Sequence, residues 1–453
     1  MKEAVVKNKA RALSEAGETL VQKIKKHEFR DLKNIKRFEI EIEPVDLLAW
    51  LYAQDHATKM CYLSRDGKFQ AAAIGAVDEI TNEGDYQIAE IYKQISNQLN
   101  NLPAARYYGG ICFDPDNTDV NWGDFGGIHF VLPQVEIVRG SDRCTLAVNV
   151  KNADETKQSI KILRNINNLK HTAFHPPEII KREDVPSKLQ WCAQIDNILQ
   201  KIQKGEVEKV VMAREVDLHL SEKADPQVLV MQLSKVIERS SLFSFQSSKG
   251  NAFLGASPEI LFKRDGNVLK TEAIAGTRMR GCSEDEDRLL VKNLLASTKD
   301  KNEQHYVVAM INQQMQMLCH NVKVDPSPQI LQTNNDIHLV SRFVGEINAE
   351  TSDGAIIDAL HPTPAVGGTP TDEALNYIRE YEHFTRGWYT GAVGYFGIEQ
   401  SEFSVAIRCA LVQEDRLKLF SGAGIVAESF PLAEWEETEY KLRTFLNMFK
   451  NYK

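Results

Sequence analysis

The order in which apolar patterns follow one another constrains this chain more than any single motif. Strand-like runs come in clusters, and a few long helical patterns separate the clusters without alternating strictly with the strands. Between residues 36 and 165 the runs Phe38 to Ile42, Ala71 to Ile74, Gly127 to Leu132 and Thr145 to Val150 read as strands. One helix stands among them near Tyr86 to Leu102, with Ile88, Ile91, Ile95 and Leu99 on one face. Tyr107-Tyr108-Gly109-Gly110 and Phe125-Gly126-Gly127 read as punctuation between strands. Glu208 to Leu218 is a strand whose Val210-Val211-Met212-Ala213 run has the continuous apolarity of burial on both faces. Phe243 to Phe245, Ala252 to Gly255 and Ile260 to Lys263 are further strands. Trp388 to Phe396, Phe403 to Val412 and Leu417 to Ile425 form a meander. Helices are expected over residues 4–27, Leu189 to Lys204, Glu284 to Asn321, Thr351 to Ala359 and Pro431 to Phe449. This pattern predicts sheet-on-sheet layers clad by helices.

Residues 174–188 carry three prolines and many charges and read as a linker. The expected division is a β-rich part, 1–180, and a second part, 185–453, with both parts able to share one core. The net charge is −9 and no long basic run occurs, which argues against nucleic acid and anionic membrane as partners. An anionic small substrate then requires positive charge built locally into its site. Seven widely spaced cysteines without a CxxC pair predict reduced thiols in a cytoplasmic protein. Met1 to Glu28 has no apolar core of a signal peptide, and no apolar run is long enough to span a bilayer.

Common catalytic signatures are absent: no phosphate-binding GxxxxGK[ST], no HExxH, and only a GxG at Gly422-Ala423-Gly424. Gly255-Ala256-Ser257-Pro258-Glu259 has Glu where a nucleophile elbow needs Gly. Four residues keep two readings each. Lys209 opens a buried-looking strand, as an edge lysine or as a desolvated general base. Glu259 follows a proline in a turn, as a plain turn carboxylate or as a general acid. Glu303 sits on a helix, as a solvated carboxylate or as a ligand. Glu437 lies three residues after Glu434 in a helix expected to start with a Ser429 cap and Pro431. The pair either suits the helix dipole, with Lys441 as an i,i+4 partner of Glu437, or holds a metal.

Eight ordered blocks narrow these alternatives: GEVEKVVMARE (205–215), FLGASPEILF (253–262), TEAIAGTRMRG (271–281), STKDKNEQH (297–305), LHPTPAVGGTP (360–370), YTGAVGYFG (389–397), AIRCAL (406–411) and SGAGIVAESFPLAEWEET (421–438). On them the chain resembles the chorismate-utilising enzymes. The resemblance implies an α+β fold of two stacked, mainly antiparallel sheets flanked by helices. It implies that Lys209 activates water for attack at C2 of the chorismate ring and that Glu259 protonates the departing C4 hydroxyl. Glu303 and Glu437 match magnesium-binding glutamates, with Glu434 a second acid near the metal. Arg408 and Tyr395 match residues that hold substrate carboxylates. The Gly422, Ala423 and Gly424 backbone matches a stretch whose N–H groups face a carboxylate, and Thr277 and His361 match pocket residues. The implied cofactor is Mg²⁺ and the implied partner is chorismate, a dianion that a bound divalent cation would let an acidic protein attract.

Within the family, branches that add ammonia carry glutamine where Lys209 stands, so Lys209 argues for water. The aminodeoxychorismate branch has lysine where Ala275 stands. The isochorismate-forming and salicylate-forming branches remain, and the overall pattern favours isochorismate, with menaquinone as the implied pathway over siderophores. A silent homologue that only binds a carboxylate is the alternative from another class, and the intact Lys209, Glu259, Glu303 and Glu437 argue against it. No glutaminase subunit is expected. Relatives are often monomers, with a dimer as the alternative. One departure is Gln304, where many relatives have His directly after the metal glutamate.

Overall fold

A computed structural model describes residues 11–27, 35–82, 87–117, 120–166, 175–333 and 336–449. Among the described residues the strands form two sheets of twelve and ten strands, and the pairings between these strands are antiparallel. The first sheet runs from Lys36–Ile42 at one edge, through Lys59–Leu63, Ser241–Ser248, Asn251–Ser257 and Cys409–Gln413, to Arg416–Ile425 and Lys209–Leu220. The second runs from Cys319–Val324 through Asp336–Ile347, Val268–Met279, Ile260–Asp265, Gln400–Val405 and Ala392–Phe396 to Tyr107–Ile111 and beyond. Strands from residues 36–150 therefore extend both sheets that the later residues build.

Aromatic side chains of both sheets meet in one buried cluster: Tyr62, Phe243 and Phe253 from the first, Tyr108 and Tyr395 from the second, with Trp388 between strands. Helices cover the outer faces. Leu13–Lys25, Pro226–Val236 and Pro431–Leu446 bury Leu20, Leu233 and Leu446 against the first sheet. Ile88–Leu99 and Thr298–Leu318 bury Ile91, Ile95 and Ile311 in a core that includes Phe343 and Phe403 of the second. The continuous apolarity of Val210 to Ala213 is explained by burial on both faces of its strand.

Several local expectations change. The linker reading of 174–188 gives way to a strand, Ile179–Val185, paired with Lys209–Leu220 from Glu215 to Leu220. Its Asp184 meets Arg214 of the neighbouring strand and its Arg182 meets Glu439 of the Pro431–Leu446 helix, so a charged, proline-flanked segment still pairs. Gly109-Gly110 is not a turn but the middle of the Tyr107–Ile111 strand. A Cβ on Gly110 would come within 2.6 Å of the Trp388 ring, so the glycine makes room for the indole. The helix expected over Glu284 to Asn321 breaks at Ser297, which caps Thr298–Leu318, and ends in the strand Cys319–Val324. The first helix is Leu13–Lys25, and the part of its expected range before residue 11 lies outside the described residues. Ser429 does not cap the last helix; its Oγ accepts the Val426 N–H at 3.2 Å.

Gly110→Ala forces the Trp388 indole out of place. The substitution should lower the unfolding free energy by about 1–3 kcal/mol, the usual range for overpacking, in a urea titration. An unchanged midpoint would show that the indole relaxes freely.

Candidate active site

The chain passes between the sheets twice at one place. Pro258 and Glu259 lead from Asn251–Ser257 in the first sheet to Ile260–Asp265 in the second. Ala406, Ile407 and Arg408 lead back from Gln400–Val405 to Cys409–Gln413, which is why the single strand expected over Phe403 to Val412 is two. Arg408 takes a φ of 51° at this bend. The crossings bond to each other: Val405 N–H donates to the Glu259 carbonyl at 3.1 Å, and Ala256 N–H to the Arg408 carbonyl at 3.0 Å. Beside them lies a cleft of about 130 Å³, lined in part by Glu259, Thr277, Glu303, Arg408, Gly424 and Glu437.

Glu259 is 5 % exposed. Its acid pKa is pushed up to about 8, first by burial and then by the nearby Glu272 charge, against the opposing pull of Lys209, Arg65 and Lys441. Glu272 itself is held by a two-pronged ion pair with Arg65, whose Nη2 to Oε2 distance is 2.7 Å. One carboxylate therefore has its own guanidinium while Glu259 has none, and Glu259 keeps its proton near neutral pH.

Lys209 is fully buried at the start of its strand, and its Nζ donates to Glu303 Oε1 at 3.1 Å. Gly424 pairs with Val211 on the neighbouring strand. A Cβ there would come within 2.9 Å of Glu303 Oε1 and 3.0 Å of Lys209 Cε, so this glycine lets the ion pair form against the sheet. On the last helix Lys441 Nζ donates to Glu437 Oε1 at 2.6 Å and to the Gly422 carbonyl at 2.8 Å. Among the described residues no three or more His, Cys, Asp or Glu side chains form a ready-made metal cage. Glu303 and Glu437 nevertheless bring hard oxygen donors to one cleft, and each already holds an ammonium group. That donor set fits Mg²⁺, which prefers oxygen, retains water and takes few protein carboxylates.

Arg408 Nη2 donates to Asp336 Oδ2 at 2.8 Å. The Arg416–Ile425 strand outruns its neighbour: the last pairing with Cys409–Gln413 is Leu419 with Ala410, while pairing with Lys209–Leu220 continues to Ile425. Beyond Leu419 one edge of this strand has no strand partner among the described residues, and Ser421, Gly422 and Gly424 line the cleft there. An edge of unpaired backbone N–H groups suits a carboxylate.

A model of the chorismate binding enzymes matches residues 20–450. Isochorismate synthase MenF of Haemophilus influenzae is 30% identical, over 92% of this chain and 92% of the relative. The chloroplastic isochorismate synthase of Catharanthus roseus is 30% identical over 92% of this chain and 81% of the relative. The chain belongs to the isochorismate synthases of the chorismate-binding family. The solved structure of MenF, the menaquinone-specific isochorismate synthase from Escherichia coli, superposes with a TM-score of 0.87 at 28% identity, over 97% of this chain and 100% of that one.

Of the residues expected at the site of this family member, the cleft gathers Glu259, Glu303, Glu437, Thr277, Arg408, Gly422 and Gly424, with Lys209 bonded to Glu303 beneath them. Ala423 points the other way, into the core, because side chains alternate along a strand. Glu434 is 3 % exposed and is not part of the cleft lining. Tyr395 is not brought to the cleft: its ring packs among Tyr62, Phe69 and Tyr108 between the sheets. The tyrosine that lines the cleft is Tyr389, at the start of the same sequence block, stacked on Phe420 with centroids 5.3 Å apart. His361 lies in a separate cavity with Phe113 and Arg379. The cleft histidine is His338, whose Nδ1 is 3.0 Å from Thr277 Oγ1, and burial pushes it down to about 4 and so keeps it neutral. Gln304 donates to the Ala273 carbonyl at 3.0 Å, which ties the Glu303 helix to the Val268–Met279 strand.

The raised acid at Glu259 links stability to pH. From its ordinary value of 4.5 up to about 8, the folded protein holds a proton that the unfolded chain has released, so this group's contribution falls as pH rises through that window. Glu259→Gln removes the titration while keeping the shape. The melting temperature of the variant should gain on wild type between about pH 5 and about pH 9, and a constant difference would remove the raised acid.

Proposed function

We propose that this protein isomerises chorismate to isochorismate: water adds at C2 and the C4 hydroxyl leaves. The observation that carries the reading is a carboxyl group on the cleft wall that stays protonated near neutral pH, Glu259, with a buried lysine, Lys209, close enough to act on its charge and bonded to Glu303 of the same wall. Exchanging a hydroxyl between two carbons needs a base for the incoming water and an acid for the departing oxygen. Lys209 takes the proton of the attacking water, and Glu259 gives its own to the oxygen leaving C4. Arg408 offers a planar fork for one substrate carboxylate, and the open strand edge at Gly422 to Gly424 offers N–H groups for the other. Thr277, held by His338, and Tyr389 shape the wall.

Glu303 and Glu437 hold Mg²⁺ in this reading, and Glu434 supports it from the same helix. When bound, the ion supplies positive charge to a substrate carboxylate in an otherwise acidic protein. Menaquinone synthesis is the pathway we favour, because the relatives of matching length from Haemophilus influenzae and Escherichia coli carry the name MenF. No helix among the described residues is long and apolar enough to cross a membrane. We keep the cytoplasm as the compartment and a monomer as the working state.

The deciding assay incubates purified protein with chorismate, with and without Mg²⁺, and identifies the products by liquid chromatography and mass spectrometry. An isomer of unchanged mass that requires magnesium is the expected result. Pyruvate with salicylate would move the chain to the salicylate branch, and unreacted chorismate would overturn the assignment. Lys209→Ala and Glu259→Gln should each lower kcat by roughly 10²–10⁴-fold, the usual share of general acid–base catalysis. Near wild-type turnover in either variant would strip that residue of its role. Glu437→Ala should shift the magnesium titration of the activity to higher concentration.

A further inference from the structure

We propose that Arg214 is a positioning residue for the carboxylates of the Pro431–Leu446 helix, which it fixes against the sheet through a buried ionic clamp without touching any ligand. The inference rests on the reading of Glu437 as a magnesium ligand. Arg214 lies on the strand that Lys209 opens, and it is fully buried. Its Nε donates to Thr438 Oγ1 at 2.7 Å, its Nη2 to Glu439 Oε1 at 2.5 Å, and its Nη1 to Asp184. Its guanidinium carbon stands 3.9 Å from the centre of the Trp435 ring.

Trp435, Thr438 and Glu439 are spaced i, i+3, i+4, so they form one stripe of the helix. The residues in question sit beside that stripe: Glu434 precedes Trp435, and Glu437 precedes Thr438. One planar group therefore fixes both the rotation and the height of the first turns. The clamp is charge-balanced. Arg182 donates from Nη2 to Asp184 Oδ1 at 2.8 Å and from Nη1 to Glu439 Oε2 at 3.3 Å, so two guanidinium groups face two carboxylates. Asp184 and Arg182 come from the strand Ile179–Val185, the segment whose sequence reads as a linker. Ser421 Oγ donates to the Thr438 carbonyl at 3.0 Å and ties the same turn to the strand of Gly422 and Gly424. A lysine cannot replace the fork, because an ammonium is a point charge and does not serve three differently placed acceptors and a ring face together.

The test titrates MgCl₂ into wild type, Arg214→Lys and Arg182→Gln by calorimetry, with thermal melting of each protein as the check on folding. Groups that orient metal ligands typically govern affinity by 10–100-fold, so Arg214→Lys should weaken Mg²⁺ binding on the order of 10-fold while it still melts cooperatively. Arg182→Gln removes the outer guanidinium, which is 23% exposed where Arg214 is fully buried, and should stay within about 2-fold of wild type, in line with the smaller worth of pairs nearer the solvent. Should Arg214→Lys fail to fold, Thr438→Val removes one acceptor of the clamp and should weaken binding in the same direction. Equal affinity in wild type and the clamp variants overturns the inference and leaves the magnesium reading standing. Equal loss in Arg182→Gln and Arg214→Lys also overturns it, since general loosening would then be the cause. A wild type that takes up no Mg²⁺ removes the magnesium reading itself, and this inference with it.

Discussion

The cleft depends on the double crossing between the two sheets. A strand that leaves one sheet for the other gives up its ladder for a few residues, and those backbone groups must find partners elsewhere. Here each crossing satisfies the other, through Val405 to Glu259 and Ala256 to Arg408. The mutual bonding ties two irregular segments to each other. It brings Glu259 and Arg408 to the wall of one cleft, on segments that belong to neither sheet's ladder. The acid and the guanidinium thus owe their positions to topology more than to local turn chemistry.

Around that crossing the electrostatics are sorted by which carboxylate receives a cation of its own. Glu272 has Arg65, Glu303 has Lys209, Glu437 has Lys441 and Asp336 has Arg408. Glu259 is left with burial and a neighbouring negative charge, and keeps its proton. Four carboxylates are thereby given ion-pair partners and the fifth is left as an acid, by placement alone. Three of the four partners sit on a different element from their carboxylate, Lys441 and Glu437 alone sharing a helix, so most of the division exists only in the assembled sandwich.

Much of this was legible in the sequence where periodicity alone decides. Ile88, Ile91, Ile95 and Leu99 lie buried on one helix face as their spacing requires, and the apolar run at Val210 lies inside the sandwich. The layered architecture follows from clustered strands. Elements went unread where tertiary contacts override local chemistry. Gly109-Gly110 looks like a turn until the indole of Trp388 is placed against it. Ile179–Val185 looks like a linker until Arg214 and Glu439 supply partners for its charges. The family blocks marked most of the cleft, yet a block does not say which of its residues points inward. Tyr389 and Tyr395 share one block, and only the fold separates a wall of the cleft from the aromatic core. Lys441 was visible as an i,i+4 partner of Glu437, but its bond to the Gly422 carbonyl crosses from helix to strand and has no local signature.

The ion pairs that line the cleft carry one more consequence. The protein supplies its own counter-ions: Asp336 for Arg408, Lys441 for Glu437, Lys209 for Glu303. In the proposed function, a dianion and a divalent cation arriving together would bring no net charge, and each would displace an internal partner. Recognition of that kind would be a swap of salts, in which internal ion pairs give way to pairs with the ligands. Selectivity then resides in geometry, in how well a ligand's oxygens coincide with sites the protein has already filled with its own.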